Sequence, residues 1–142
     1  MILNRYLIEN TIVMGFFDSI FGSGEPSETS TWNFLTHQEQ VDEVFLQSNE
    51  VPQIILKHSN SCGTSYFAKK NLESITKEEL GDTELHLIDV IRSRPTSNYL
   101  AEKVRVRHES PQVFVIKNGE LIWHASHGMV TSKNVIEMLK TK

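Results

Sequence analysis

With 142 residues the chain can form one domain with an adequate core plus a tail, and 39% hydrophobic against 23% charged content excludes a disordered protein. A net charge of −4 gives no electrostatic footprint for nucleic acid. A single cysteine excludes a disulfide scaffold and suits a reducing, cytoplasmic setting, and no apolar run reaches the roughly 18 residues of a membrane span.

Residues 1–21 are apolar with scattered charge. Asn4, Arg5, Glu9 and Asn10 interrupt the start, and no small-residue cleavage site follows, so this is a poor signal peptide. The string Met14-Gly15-Phe16-Phe17-Asp18-Ser19-Ile20-Phe21 sets Phe16, Phe17, Ile20 and Phe21 on one helical face, enough for a weak membrane or partner anchor. It also fits a loose N-myristoylation pattern if translation starts at Met14. A plain N-terminal extension is the favoured reading. Residues 22–31 have linker composition, with Gly22, Ser23, Gly24, Pro26, Ser27 and Ser30. The expected division is an extension over 1–31 and a folded domain over 32–142.

The domain opens on Thr36-His37-Gln38-Glu39, a capping-box pattern ahead of Val41, Val44, Phe45 and Leu46 at helical spacing. Pro52 ends that helix and residues 53–58 form an apolar strand. Residues 63–77 read as a helix with Phe67, Leu72 and Ile75 on its buried side. Leu85–Val90 is a second strand, and Arg94-Pro95 starts another helix with Tyr99, Leu100 and Val104 available to pack. Gln112–Lys117 is a third strand. Asn118-Gly119 predicts a two-residue hairpin into a fourth strand, Leu121–Ala125, and Val135, Ile136 and Leu139 mark a terminal helix. This order requires parallel crossovers and one antiparallel hairpin, so an α/β fold with a four-stranded mixed sheet flanked by helices is expected.

Cys62 lies where the first strand gives way to a helix. Unpaired N–H groups at a helix start stabilise a thiolate over a thiol, and the polar neighbours Ser59, Asn60, Ser61, Gly63, Thr64 and Ser65 argue against a buried structural cysteine. Ser65 stands where a dithiol motif carries its second cysteine, and its hydroxyl is one helical turn from the sulfur. His58, four residues before Cys62, could support a thiolate, although a histidine at a strand end is more often exposed. His124 and His127 are spaced i,i+3 without a second dense cluster, so no metal site is expected.

The stretch Ser110-Pro111-Gln112-Val113-Phe114-Val115-Ile116-Lys117-Asn118-Gly119-Glu120 resembles the corresponding thioredoxin segment, and Gly128 resembles the glycine after the last strand. Narrower still, Arg94-Pro95-Thr96-Ser97-Asn98 together with Val106-Arg107-His108-Glu109-Ser110-Pro111-Gln112 is similar to the YtxJ family, the monothiol bacilliredoxins of the bacillithiol system. The likeness covers residues 32–142. It implies a thioredoxin-like fold in which Pro111 is cis and faces the sulfur of Cys62. Cys62-Gly63-Thr64-Ser65 departs from the family's Thr-Cys-Pro-Ile-Ser type motif at two positions while keeping the cysteine and the serine.

The resemblance implies a monothiol thiol–disulfide oxidoreductase that removes bacillithiol from bacillithiolated proteins. Cys62 would be the nucleophile and Ser65 its supporting hydroxyl, with Ser110 and Pro111 pairing with the extended ligand. Bacillithiol would be a low-molecular-weight thiol co-substrate, not a bound cofactor. Its carboxylates suit Arg94, Arg107 and His108, within a basic cluster that also includes Arg92 and Arg105. Two other readings use the same residues: a non-catalytic adaptor docked through the N-terminal aromatic segment, and a redox sensor whose Cys62 is modified without turnover.

Overall fold

The computed structural model describes residues 31–141, and the expectations for residues 1–30 lie outside it. In chain order the elements are β1 (Asn33–Phe34), α1 (Gln38–Gln47), β2 (Gln53–His58), α2 (Gly63–Glu73), α3 (Lys77–Leu80), β3 (Glu84–Asp89), α4 (Arg94–Val104), β4 (Gln112–Lys117), β5 (Glu120–Ser126), a 3-10 turn (His127–Met129) and α5 (Ser132–Lys140). The sheet order is β1-β3-β2-β4-β5, with β1 and β2 parallel to β3 and with β2–β4 and β4–β5 antiparallel. The sheet thus has five strands, not four. The extra strand pairs only Asn33 with His86 and Phe34 with Leu87, too short to leave any alternation in the sequence.

β2 lies between β3 and β4, and all six of its residues are buried, as expected of a strand covered on both faces. One face packs Ile54, Leu56, Leu85, Leu87, Val113 and Val115 against α2 and α5 through Ala68, Leu72 and Val135. The other packs Ile55, Ile88, Phe114 and Ile116 against α1 and α4 through Val41, Val44 and Leu100. The β4–β5 turn has positive φ at both Asn118 (54°) and Gly119 (78°), the conformation that Asn-Gly favours. Two bonds tie it down: Asn118 N–H donates to the Ser48 carbonyl at 2.8 Å and Gly119 N–H to Ser48 Oγ at 2.9 Å.

Several local expectations need correction. The helix predicted over 63–77 stops at Glu73, and α3 starts separately because Thr76 and Glu79 form their own reciprocal cap. Phe67 does not join the buried side of α2 but is 71% exposed, as is Leu46 on α1. The cap of α1 is displaced by one residue: Gln40 Oε1 accepts from the N–H groups of Thr36 (2.7 Å) and His37 (3.0 Å), so Glu39 does not play that part. His58 is buried, not exposed, because β2 is central to its last residue. Trp32 Nε1 donates to Glu73 Oε1 at 2.9 Å and fastens the start of the domain to α2.

Candidate active site

Register assembles the site. His58 pairs with Asp89, and Gln112 pairs with both Lys57 and Ser126. The ends of β2, β3 and β5 and the beginning of β4 therefore meet at one end of the sheet. Cys62 follows β2 there, and Ser110-Pro111 leads directly into β4. The Ser110–Pro111 peptide bond is cis, and the Pro111 carbonyl accepts from His127 N–H at 3.0 Å.

Cys62 is the N-cap residue of α2, with extended backbone, and is half-buried. Its N–H donates to the Ser59 carbonyl at 3.2 Å, so the polar Ser59–Ser61 turn sets the angle at which the chain enters the helix. At an N-cap the side chain faces the free amides of the first turn. The backbone N–H of Ser65, then that of Thr64, hold the thiol below its ordinary pKa; partial desolvation opposes them, and the Ser65 and Thr64 hydroxyls add smaller support. Ser65 is fully buried, and its Oγ makes no full hydrogen bond among the described residues, so its proton remains available to the sulfur. Gly63, where the family motif carries proline, has open space around the position of a Cβ, so crowding does not account for the departure.

The loop before Pro111 is pinned from three sides. Gln112, fully buried, donates through Nε2 to the Arg107 carbonyl and accepts at Oε1 from Glu109 N–H, both at 3.1 Å. The Glu109 carboxylate accepts from the Ser126 hydroxyl of β5. His108 Nδ1 lies 3.0 Å from Lys57 Nζ and 3.3 Å from Ser97 Oγ. Burial holds His108 below the ordinary histidine pKa, reinforced by Lys57 and Arg94 and opposed by Glu109. Burial also pushes Lys57 down to about 8.

Cys62 and Ser65 thus form one cluster, and His108, Arg94 and Lys57 a second, with Ser110-Pro111 on the loop that the second cluster braces. Arg94 and Arg107 are exposed, Pro111 is buried, and Ser110 Oγ is buried without a partner among the described residues. Lys57 and Gln112 were missed as site residues. A charged residue directly after the apolar run Ile54-Ile55-Leu56, within the strand expected over 53–58, was the available signal for Lys57, since a buried cation must be paired.

His58 donates through Nε2 to Asn60 Oδ1 at 2.9 Å and lines a pocket of about 390 Å³ beside the site, together with Phe34, Leu35, Asn60, Asp89 and Arg92. Four exposed apolar residues occupy this end of the molecule: Tyr66 and Phe67 on α2, Ile91 after β3 and Met129 in the 3-10 turn. Among the described residues no three of His, Cys, Asp and Glu gather as a metal site would require, and no helix is long and apolar enough to cross a membrane.

A mixed sheet of this order, with one activated cysteine at the strand–helix junction and a cis-proline loop opening β4, defines a thioredoxin-fold thiol–disulfide oxidoreductase. A solved thioredoxin-fold structure described as an oxidoreductase is 31% identical, with a TM-score of 0.66 over 73% of this chain and 89% of that one. Thioredoxins of Malassezia sympodialis (15% identity, TM-score 0.64, covering 84% of this chain and 99% of that one) and Plasmodium falciparum (20%, 0.61, 78% and 100%) share the fold. The family model for the monothiol bacilliredoxin BrxC matches residues 33–135, and the chain belongs to that family.

Proposed function

We propose that this protein works in the cytoplasm, removing bacillithiol from mixed disulfides on proteins through Cys62. The observation that carries the reading is a sulfur activated by the Thr64 and Ser65 amides in a chain with no second cysteine. Such a site can accept one thiol and must hand it on.

In the first step the Cys62 thiolate attacks the bacillithiol sulfur of the mixed disulfide. The bond between bacillithiol and the client breaks, a new disulfide forms between Cys62 and bacillithiol, and the client leaves as a thiolate that takes a proton from solvent. The client cysteine is reduced and Cys62 oxidised. A further thiolate then attacks the bacillithiol sulfur of the Cys62–bacillithiol disulfide; that bond breaks, a disulfide forms between the incoming thiol and bacillithiol, and Cys62 leaves as its thiolate. Thr64 and Ser65 stabilise the attacking thiolate, and the same groups make Cys62 a good leaving group in the second step.

The main-chain groups at Ser110-Pro111 are suited to pair with an extended ligand, and the exposed guanidinium groups of Arg94 and Arg107 to receive bacillithiol's carboxylates. Exposed Tyr66, Phe67, Ile91 and Met129 support a protein client, because an apolar rim offers little to a small polar thiol alone. Residues 1–31 are proposed as an extension outside this chemistry.

Intact-mass analysis after mixing the reduced protein with a bacillithiolated client tests the reading. A bacillithiol adduct on Cys62 with the client released in reduced form is expected, and Cys62→Ser should give neither. A wild-type protein that acquires no adduct and releases no client would leave the adaptor reading in its place.

A further inference from the structure

Lys57 is fully buried on the central strand, on the sheet face that also carries Ile55 and Phe114. A buried ammonium is costly unless paired, and among the described residues no carboxylate lies within ion-pair distance of this one. Its partners are His108 Nδ1 at 3.0 Å and the Phe114 ring, whose centroid is 5.6 Å away. A methionine or leucine would occupy the same strand position with no charge to bury. The expense therefore calls for a role outside packing.

An ammonium carries three donors and no acceptor. When charged Lys57 bonds to His108, Nδ1 must be the acceptor and the neutral ring must carry its proton on Nε2. The geometry points to Lys57 as a positioning residue that fixes His108 in the Nε2–H tautomer, keeping a ring donor on the loop that leads into Ser110-Pro111 for an oxygen of the bound mixed disulfide. This rests on the proposed function in one respect only, that the edge carries the ligand. The groups facing the ring are Lys57 from β2, Ser97 and Arg94 from α4, and Glu109 in its own loop. Burial and the two cations outweigh Glu109, so the ring is held neutral more strongly than an ordinary histidine. As pH rises past about 8 Lys57 loses its charge, gains a lone pair, and ceases to dictate which nitrogen bears the proton.

The test compares the wild-type chain with Lys57→Met by long-range proton–nitrogen NMR of the His108 ring. Wild type should show one tautomer, protonated on Nε2, below about pH 8, and the variant a mixture. Client release from the bacillithiolated protein is followed in parallel. The variant's kcat/KM should be about tenfold lower at pH 7, the worth of one hydrogen bond, mainly through KM. Wild type should lose activity above about pH 8, and the variant should lack that limb. A wild-type ring protonated on Nδ1, or a variant with unchanged tautomer and pH profile, would overturn the assignment. If Lys57→Met does not fold, the wild-type spectrum across the same pH range decides: a tautomer that stays fixed above pH 9 refutes the role of the ammonium. Complete absence of transfer by wild type would count against the proposed function, while the ring spectrum would still test Lys57.

Discussion

Replacing Lys57 by methionine should make the protein more stable at neutral pH, and the size of the gain follows from burial. The fold lowers the lysine's pKa from 10.5 to about 8. At about 1.4 kcal/mol for each tenfold loss of proton affinity, keeping the ammonium in the native state at pH 7 costs roughly 3 kcal/mol relative to the unfolded chain. Leaving His108 Nδ1 without its donor returns about 1 kcal/mol of that, since the half-buried ring can take up water, so a net gain of about 2 kcal/mol is expected. Between about pH 8 and 10.5 the unfolded chain binds more protons than the native one, so wild-type stability climbs through that interval. The methionine variant lacks this dependence, and its advantage should vanish by about pH 10.5. Urea unfolding followed by the fluorescence of Trp32 and Trp123, at pH 7 and again near pH 10, measures both. A destabilised variant at pH 7, or an advantage equal at the two pH values, would refute the reasoning.

Alkylation of Cys62 should have its midpoint below the ordinary thiol value of 9.0, and Ser65→Ala should raise it only slightly, because the amides outweigh the hydroxyl; iodoacetamide rates against pH check both. Cys62→Ser should abolish client release while leaving the circular dichroism and unfolding midpoint near those of wild type. His86, buried with Nε2 2.6 Å from Gln53 Oε1, is pushed by burial down to about 4, so the unfolded chain binds the extra proton between pH 6.5 and about 4. Stability should therefore fall by roughly 3 kcal/mol over that window, and His86→Leu should flatten the dependence in urea titrations. Gly119→Ala places a Cβ 3.4 Å from Asn49 Oδ1 at a φ of +78°, and a loss of about 1–2 kcal/mol should appear in the unfolding midpoint.

The strands that build the site were legible because their signals are local. β2 and β4 are β-branched runs, and Asn118-Gly119 marks the only turn between β4 and β5. Cys62 was legible for the same reason, a sulfur at the point where a strand pattern changes to a helix pattern. β1 was not, since two residues carry no period and its pairing with β3 joins positions far apart in the chain. The break between α2 and α3 had a signal that the apolar spacing obscured: Thr76 followed by Glu79 is a helix start in its own right. Phe67 and Leu46 misled because their spacing fits a buried face, but neither is held against a strand. The bond between Lys57 and His108 was beyond local reading altogether. It depends on register between β2 and β4, which brings a strand residue under a loop 51 positions later.

Ser65 in place of a second cysteine fixes how the protein must behave as a catalyst. A neighbouring thiol on the same helix turn would meet the Cys62 adduct at a high effective concentration, and release would be intramolecular. Here release waits for a collision. Turnover is then proportional to the concentration of whichever thiol performs the second step, and the population of loaded protein reports the balance between client damage and that supply. Under the proposed function, sustained oxidation would turn the chain into a reservoir, holding one bacillithiol per molecule until the supply of reductant recovers.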